Sequence, residues 1–257
     1  LHIEDRNTGM RSHLAARHVV LALGHSSRDT FTLLYERGVF MEAKAFSIGV
    51  RIEHPQSVID AAINADFLVL NAGITPLVQV SHVDEDTIAK KLSPINTADL
   101  CVALATAKGE AVVKEITVTE NRNLLVIAAD SMLEFDGQSF GKPGSPDVAI
   151  ARWKAMRGKS GYLHTGHWVM DLVSGQVRSG VAGAEVEFAD ISDAEITAYV
   201  NTGEPLSVAG GFTHEGKSAA FITKMTGDSP AVGGISLALL REFTQDMSIE
   251  WTQLWDL

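Results

Sequence analysis

The sequence predicts an α/β fold in which strands and helices alternate along the chain. Short apolar runs of strand length recur, and the clearest of them covers residues 124–129. Longer segments between such runs carry apolar residues at helical spacing, as in 97–113. Helix-start residues, such as Ser145 followed by Pro146, separate the two kinds of segment. This pattern is typical of a sheet with helices packed against it.

The opening part of the chain reads as a short α/β fragment. It predicts a strand over 18–23, a helix over 30–37 and a strand over 46–52. A short acidic and apolar stretch follows before the next strand-like run. We therefore predict two domains, 1–62 and 63–257, although no linker rich in proline or glycine separates them.

The second domain begins with further strand and helix signals. A strand is predicted over 67–70, and residues 77–83 alternate like a second strand that ends in the acidic run 84–86. Helical spacing follows over 97–113. The apolar run 124–129 is continuous, as in a strand that is covered on both faces.

The last part of the chain predicts two more helices and two more strands. Ser145 has the chemistry of a helix N-cap. Strands are predicted over 167–173 and 184–190. Residues 192–195 form a capping box, and their helix ends near Gly203. The apolar residues expected to face inward from the first of these helices are Ile150, Trp153 and Met156.

Composition excludes several classes of protein. The formal net charge is −11, which argues against a surface that coats nucleic acid. The single cysteine, Cys101, excludes an internal disulfide framework, and its apolar surroundings predict a buried, inert thiol. No apolar run reaches the roughly 18 residues of a spanning helix, and the first residues do not resemble a signal peptide. We expect a cytoplasmic protein that binds neither nucleic acid nor membrane.

Asp130 and Lys142 are the first candidate site residues. Asp130 directly follows the run 124–129, and ligands of open α/β sheets gather at the carboxyl ends of strands. The same aspartate could simply cap a turn. Lys142 lies in a Gly-Lys-Pro sequence, in which the proline stiffens the backbone and could aim the ammonium group at one point. A solvated turn lysine is the alternative.

Other charged residues suggest a metal or a phosphate. The acidic run 84–86 could supply oxygen ligands for Mg²⁺, or it could be a solvated loop. Lys108 lies in an apolar helix, so its charge either reaches solvent from a buried stem or points into a site. His164 and His167 would face opposite sides of a strand, and we reject a zinc site there. The sequence contains neither G-x-G-x-x-G nor G-x-x-x-x-G-K-[ST], which excludes a self-contained dinucleotide or P-loop site.

Seven motifs occur in one order between about residues 67 and 243. They are VDED (83–86), LATAKGEAV (104–112), IAADSM (127–132), GKPGS (141–145), HTG (164–166), YVNTGEPLSVAGGF (199–212) and GDSPAVGGISLALLR (227–241). Together they resemble the Maf family of nucleoside triphosphate pyrophosphatases. The resemblance implies a mixed, twisted sheet that is flanked by helices and has a central cleft. It also implies that two copies can pair as a homodimer.

The same resemblance implies a reaction. A nucleoside triphosphate would be hydrolysed to a monophosphate and pyrophosphate with a divalent cation, Mg²⁺ or Mn²⁺. Asp130 would activate water, and the two lysines would neutralise phosphate charge. The implied catalytic residues are Asp130, Lys108 and Lys142, the implied metal ligands are Glu85 and Asp130, and the implied substrate contacts are Ser131 and Glu215.

The chain departs from the family pattern at three places. Maf proteins begin with a strand followed by a Ser-x-Ser-Pro-x-Arg loop, but here FLVL (67–70) runs straight into NAGITPLVQV. The family's Ser-Asn pair corresponds to Pro230-Ala231. These two departures predict impaired activity. Glu215 stands where the pyrimidine-selective group often has Gln and resembles the group that prefers 7-methyl-GTP, which leaves the choice of base open.

The opening fragment has a different resemblance. Residues 18–60 are similar to an internal stretch of flavin-dependent dehydrogenases, without the glycine fingerprint that binds FAD. We infer a truncated piece fused to a Maf-like domain. Ser26, Ser27 and Arg28 have the strand-Ser-Arg-helix outline of the lost loop and could take its place.

Two rival functions are a non-catalytic nucleotide-binding remnant and a flavin-dependent oxidoreductase.

Overall fold

The computed structural model describes residues 79–116 and 125–255 and, earlier in the chain, two short strands. The chain divides into two compact units, Leu1–Ile52 and Glu53–Leu257. In the first unit, β1 (His2–Glu4) pairs antiparallel with β2 (Arg11–His13). Several predictions lie outside the described residues: the elements over 18–23, 30–37, 46–52 and 67–70, and the placement of Ser26, Ser27 and Arg28.

The described part of the second unit contains both helices and strands, often two of one kind in succession. Its helices are α1 (Glu85–Leu92), α2 (Thr97–Glu115), α3 (Pro146–Met156), α4 (Asp193–Val200), α5 (Ser229–Val232) and α6 (Leu237–Asp246). Its strands are β3 (Leu125–Phe135), β4 (Gln138–Phe140), β5 (Ser160–Asp171), β6 (Val177–Phe188) and β7 (Ile222–Gly227). Short 3₁₀ segments cover Glu204–Ser207, Ala209–Gly211, Lys217–Phe221 and Trp251–Leu254. This order confirms the predicted α/β class with flanking helices.

The strands of the second unit form one five-stranded sheet in the order β4-β3-β5-β6-β7. Each neighbouring pair is antiparallel. The pairing of β3 with β5 extends from Leu125 to Glu134. On its other side, β3 pairs with β4 only from Leu133 to Phe135. Within the described ranges, no strand covers that outer edge of β3 from Leu125 to Met132.

Strand β3 is longer than the apolar run that predicted it. Beyond Ala129 the residues alternate between the two faces of the sheet, and Leu133 and Phe135 are buried. Backbone pairing with β5 continues through this alternating part. Asp130 therefore lies inside the strand, opposite Gly166, and its predicted place at a strand end is wrong.

Helix starts follow the capping chemistry of the sequence. The Asn96 side chain accepts a hydrogen bond from Asp99 N at 2.8 Å at the start of α2. Ser145 caps α3, with Pro146 as its first residue. Ser192 and Glu195 form the predicted capping box at the start of α4. These caps confirm the predicted helix starts at Ser145 and Ser192.

The predicted strand over 77–83 is wrong in its described part, because residues 79–84 form no strand. The acidic run that follows begins a helix instead. Asp84 is the N-cap of α1, and its carboxylate accepts hydrogen bonds from Thr87 N at 3.0 Å and Thr87 Oγ1 at 2.7 Å. Glu85 is the first residue of this helix.

The two faces of the sheet pack against different helices. Helix α2 covers one face, on which Ala105 packs with Val126 of β3 and Trp168 of β5. We call this the α2 face. Helices α3, α4 and α6 cover the opposite face, where two clusters form the core. The largest fully buried side chains of the opposite face include Trp153, Met156, Leu133, Leu163, Ile196 and Leu240.

Two glycines bring α2 close to the sheet. A Cβ atom on Gly166 of β5 would overlap the backbone of Cys101 in α2. A Cβ atom on Gly109 of α2 would overlap the ring of Trp168. The helix can approach the strands this closely only because both positions lack a side chain.

Candidate active site

A cluster of three charged side chains lies on the α2 face. Lys108 Nζ lies 2.6 Å from Asp130 Oδ1 and 2.7 Å from Glu85 Oε1. The three residues come from α1, α2 and β3, three elements that are separate in sequence. The structure thus brings together three of the residues that the sequence predicted for the site.

Asp130 is the most unusual member of this cluster. Its side chain is 7% exposed, and its Oδ2 atom is the one buried side-chain N or O atom among the described residues that has no hydrogen-bond partner. Burial raises the pKa of Asp130 to about 6, although the charge and hydrogen bond of Lys108 act in the opposite direction. A carboxylate that keeps an unused buried oxygen is a candidate acceptor for a substrate, a cation or a proton.

Lys108 is held as a cation by its neighbours. Burial alone would lower its pKa, but the charges of Asp130 and Glu85 outweigh it and raise the pKa above the usual value for lysine.

Cys101, on the same helix, is fully buried, and its Sγ donates to His164 O at 3.5 Å. Burial, with the nearby charge of Asp130, raises the pKa of Cys101 to about 12. The predicted buried thiol is confirmed, and it is not a nucleophile at neutral pH.

Lys142 follows β4 in the Gly-Lys-Pro turn and is exposed. Its positive charge lies near enough to Asp130 to lower the pKa of that carboxyl, against the larger effect of burial. The turn is anchored on both sides of Lys142. Gly210 N donates to Gly141 O at 3.3 Å, and Gly144 N donates to Leu206 O at 3.0 Å. Lys142 is therefore a fourth charge whose field reaches Asp130.

Ser131 points away from this cluster. Adjacent strand residues face opposite sides of a sheet, so Ser131 lies on the opposite face from Asp130. Its hydroxyl is 2.7 Å from Thr165 Oγ1, and Thr165 Oγ1 donates to Ala231 O at 2.7 Å. Ser131 is therefore the donor to Thr165. Its predicted substrate contact stays a prediction.

Glu215 belongs to a separate loop. It is exposed, and its Oε1 atom lies 3.1 Å from His214 Nε2. A Cβ atom on Gly233 would be 2.9 Å from the same oxygen, so the carboxylate rests against the loop between α5 and α6. These contacts do not include Lys108 or Asp130. The predicted role of Glu215 in binding the base also stays a prediction.

The loop that carries Glu215 is anchored by a second glutamate, which no sequence motif predicted. Glu204 accepts hydrogen bonds from Thr213 Oγ1 at 2.7 Å, Lys217 N at 2.9 Å and Tyr199 Oη at 3.1 Å. Partial burial would raise its pKa, but these donors hold the pKa below its usual value. The loop therefore has a fixed base.

The donor set fits a hard divalent cation only in part. Glu85 and Asp130 offer carboxylate oxygens beside one another, and Asp130 keeps an unused oxygen. Within the described residues there is no group of three or more His, Cys, Asp or Glu side chains that could hold a metal. Mg²⁺ commonly binds one or two carboxylates and takes its remaining ligands from water and substrate phosphates. The pair meets the carboxylate requirement of such a cation, but the Lys108 ammonium group now lies between the two carboxylates and would have to make room for it.

The two histidines have structural partners. His164 Nε2 lies 3.0 Å from Glu134 Oε2. His167 is on the opposite face, where Nδ1 contacts Thr165 O at 3.0 Å and Nε2 accepts from Ser236 N at 2.8 Å. These separate partners support the rejection of a shared zinc site.

None of the described helices is both long and apolar enough to cross a bilayer.

Comparisons with known proteins identify the family. Residues 66–247 match the family described as Maf-like protein. A nucleoside triphosphate pyrophosphatase of Salinispora tropica is 45% identical over 184 residues, which cover 72% of this chain and 80% of the relative. The protein of that name from Streptomyces coelicolor is 46% identical over 188 residues, or 73% and 88% of the two chains. One from Synechocystis is 43% identical over 184 residues, or 72% and 90%. The chain belongs to the Maf family.

Proposed function

We propose that this chain hydrolyses a nucleoside triphosphate to a nucleoside monophosphate and pyrophosphate. The relatives that share more than two fifths of its aligned residues carry the name of that activity. The observation that carries the proposal is the cluster in which Lys108 lies between Asp130 and Glu85, with Asp130 Oδ2 unused. A buried carboxylate beside fixed positive charge suits the hydrolysis of a phosphoanhydride.

In the proposed reaction, Asp130 accepts a proton from the attacking water. The water oxygen forms a bond to phosphorus, the anhydride bond between the α- and β-phosphates breaks, and pyrophosphate leaves. The pKa of Asp130 is raised to about 6, which makes this carboxylate a stronger base than an ordinary aspartate. It is still mainly ionised at neutral pH. The unused Oδ2 atom is the proposed acceptor of this proton.

Lys108 and Lys142 provide the positive charge in this proposal. Attack on a triphosphate brings more negative charge together, and fixed cations stabilise that charge. Lys108 stays protonated because two carboxylates face it. Lys142 comes from the turn after β4 and lies near enough to Asp130 for its charge to lower the pKa of that carboxyl.

A divalent cation, Mg²⁺ or Mn²⁺, is part of the proposal. Glu85 and Asp130 would hold it together with oxygens of the substrate. When bound, it would supply further electrostatic stabilisation of the phosphate oxygens. We also propose that Ser131 and Glu215 contact the substrate. The hydroxyl of Ser131 would have to exchange its bond to Thr165 for such a contact.

The remaining parts of the proposal concern the whole chain. We propose a cytoplasmic enzyme, able to pair as a homodimer, whose residues 1–62 are a flavin-dehydrogenase-like fragment without a redox function. The missing Ser-x-Ser-Pro-x-Arg loop favours a slow enzyme. It is also the observation that favours the second candidate, a protein that binds nucleotides without hydrolysing them.

Pyrophosphate release from a panel of nucleoside triphosphates, with Mg²⁺, with Mn²⁺ and with excess chelator, tests the proposal. We expect release that requires the cation and is lost in Asp130→Asn. Binding of a nucleotide with a non-hydrolysable α–β linkage should be measured on the same samples. Binding without release would favour the second candidate, and flavin absorbance in the purified protein would favour the flavin-dependent alternative.

A further inference from the structure

Two consecutive residues of α3 hold the turn that carries Lys142, Arg152 directly and Trp153 through Gly211. Arg152 Nη1 donates to Gly141 O at 2.5 Å, on the N-terminal side of the lysine. Trp153 Nε1 donates to Gly211 O at 2.8 Å. Pro143, on the other side of the lysine, packs against Gly211, where an added Cβ would lie 3.0 Å from the proline ring. The backbone is thus fixed immediately before and after Lys142.

Arg152 is suited to this contact in ways that another cation is not. Its guanidinium carbon lies 4.7 Å from the centre of the Phe140 ring, so the planar group stacks on the residue before Gly141 while it donates to Gly141. Burial lowers the pKa of Arg152 from its usual value, which reflects a side chain turned toward the protein rather than toward solvent. A shorter or more flexible side chain could not make both contacts in the same geometry.

We infer that Arg152 is a positioning residue for Lys142 and that it sets where the lysine's charge meets the substrate phosphates. This inference rests on the proposed function, because it assigns the effect of Arg152 to the reaction through another side chain. The second donor to Gly141 O, Gly210 N, is 3.3 Å away. The shorter bond from Arg152 therefore provides the closer restraint on this carbonyl.

A double-mutant cycle between Arg152 and Lys142 tests the inference. Arg152→Met removes the donor and the charge but keeps an unbranched side chain. We expect it to lower kcat by about 10- to 100-fold, the loss that follows when a catalytic group is misplaced by roughly 1 Å. In a Lys142→Ala background, the same change should alter kcat and KM by less than about twofold, because the residue through which it acts is gone. Arg152→Lys should recover part of the kcat of the parent.

Arg157 provides the matched control, since it follows the same helix and also donates to a main-chain carbonyl. Its Nη1 atom lies 3.1 Å from Ile191 O and 2.7 Å from Asp193 Oδ1. Arg157→Met should lower the free energy of unfolding without changing kcat or KM by more than about twofold. If Arg152→Met behaves like Arg157→Met, or lowers kcat equally with and without Lys142, the inference is overturned.

Nucleotide binding separates failure of this inference from failure of the proposed function. A parent protein that binds the non-hydrolysable nucleotide but releases no pyrophosphate would contradict the function. The double-mutant cycle would then be measured on the affinity for that nucleotide in place of kcat. The effects of the two substitutions on this affinity should again be non-additive. A parent that neither binds nor hydrolyses overturns both. An active parent in which Lys142→Ala is impaired and Arg152→Met is additive overturns the inference alone.

Discussion

Asp130 and Ser131 are neighbours in β3, yet they belong to two very different surroundings. On the α2 face, Asp130 joins a cluster of charges and keeps one buried oxygen without a partner. On the opposite face, Ser131 begins a chain of neutral hydrogen bonds through Thr165 to Ala231 O. Buried polar groups normally find partners, so the unused oxygen is the exception. The difference separates a carboxylate that can still take a partner from a hydroxyl whose hydrogen-bond partner lies within the fold.

The same contrast separates Asp130 from His167, a buried titratable group of the opposite face. His167, on the opposite face, has both ring nitrogens engaged as a neutral imidazole, with Nδ1 donating to Thr165 O and Nε2 accepting from Ser236 N. Burial lowers the pKa of His167 to about 4. Burial also raises the pKa of Asp130 to about 6. Each group is pushed toward its neutral form, but only the aspartate is ionised at neutral pH.

The largest expected effect comes from removing the charge on the α2 face. Asp130→Asn keeps the size of the side chain and should lower kcat by about 10²–10⁴-fold, the usual contribution of a general base. Folding should be preserved, since Lys108 keeps its ion pair with Glu85. Pyrophosphate release and thermal unfolding of the same sample measure the two effects.

Asp193→Asn is the control for that substitution. Asp193 also forms ion pairs, with Lys154 and Arg157, but its side chain is 59% exposed. Surface ion pairs contribute little, so kcat should stay within about twofold of the parent value. A comparable loss of kcat in both variants would show that the contrast between the sites is unfounded.

The pH dependence of the reaction should show the next largest effect. Protonated Asp130 cannot accept a proton, so kcat/KM should fall about tenfold for each pH unit below about 6. The contribution of Asp130 to the free energy of unfolding changes with pH in the opposite direction to kcat/KM. Because its folded-state pKa is raised, Asp130 contributes stability below its usual pKa of 3.8 that is lost as the pH rises through about 6. A kcat/KM that is independent of pH between 5 and 7 would exclude Asp130 as the base.

His167 should dominate the acid sensitivity of the fold. Its pKa falls from 6.5 to about 4 on folding, so its contribution is present above pH 6.5 and is lost as the pH falls through about 4. The difference of about 2.5 pKa units corresponds to roughly 3 kcal/mol of unfolding free energy. Urea unfolding at pH 7 and at pH 4 measures it, with His167→Gln as the variant that lacks the titrating group. Equal pH sensitivity in the parent and the variant would contradict this assignment.

The smallest effect is expected from the neutral chain. Thr165→Val keeps the shape of the side chain but leaves Ala231 O and the Ser131 hydroxyl without their partner. The loss should be about 1–3 kcal/mol of unfolding free energy, since both partners are left in a buried or partly buried place. Chemical denaturation measures this loss, and kcat of the folded protein should be unchanged. A fall in kcat without a fall in stability would move Thr165 to the functional side of the comparison.

Much of the candidate site could be predicted because its members lie in short, ordered motifs. Glu85, Lys108 and Asp130 were assigned from three such motifs, and the structure brings them together. The sequence misplaced Asp130 at a strand end because an apolar run gives no sign that pairing continues after it. The pattern of alternating residues up to Phe135 carried that information.

Other parts of the fold could not be predicted from local patterns. Thr165 and Ala231 are 66 residues apart, and no local pattern in either segment predicts the hydrogen bond between them. Arg152 looks like an ordinary surface arginine of a helix, although it contacts the Lys142 turn. Helix α1 was missed despite a usable signal, since acids at its start and Lys90 and Lys91 at its end match the helix dipole.

Gly109 and Gly166 make the candidate site vulnerable at two positions that carry no functional group. Both are contact points between α2 and the strands, and Gly166 stands directly opposite Asp130 in the sheet. A single methyl group at either position would wedge the helix outward and carry the ammonium group of Lys108 with it. The distance between the Asp130 carboxylate and the Lys108 ammonium group therefore depends on two positions that must carry a hydrogen atom in place of a side chain. Neither position bears a functional group.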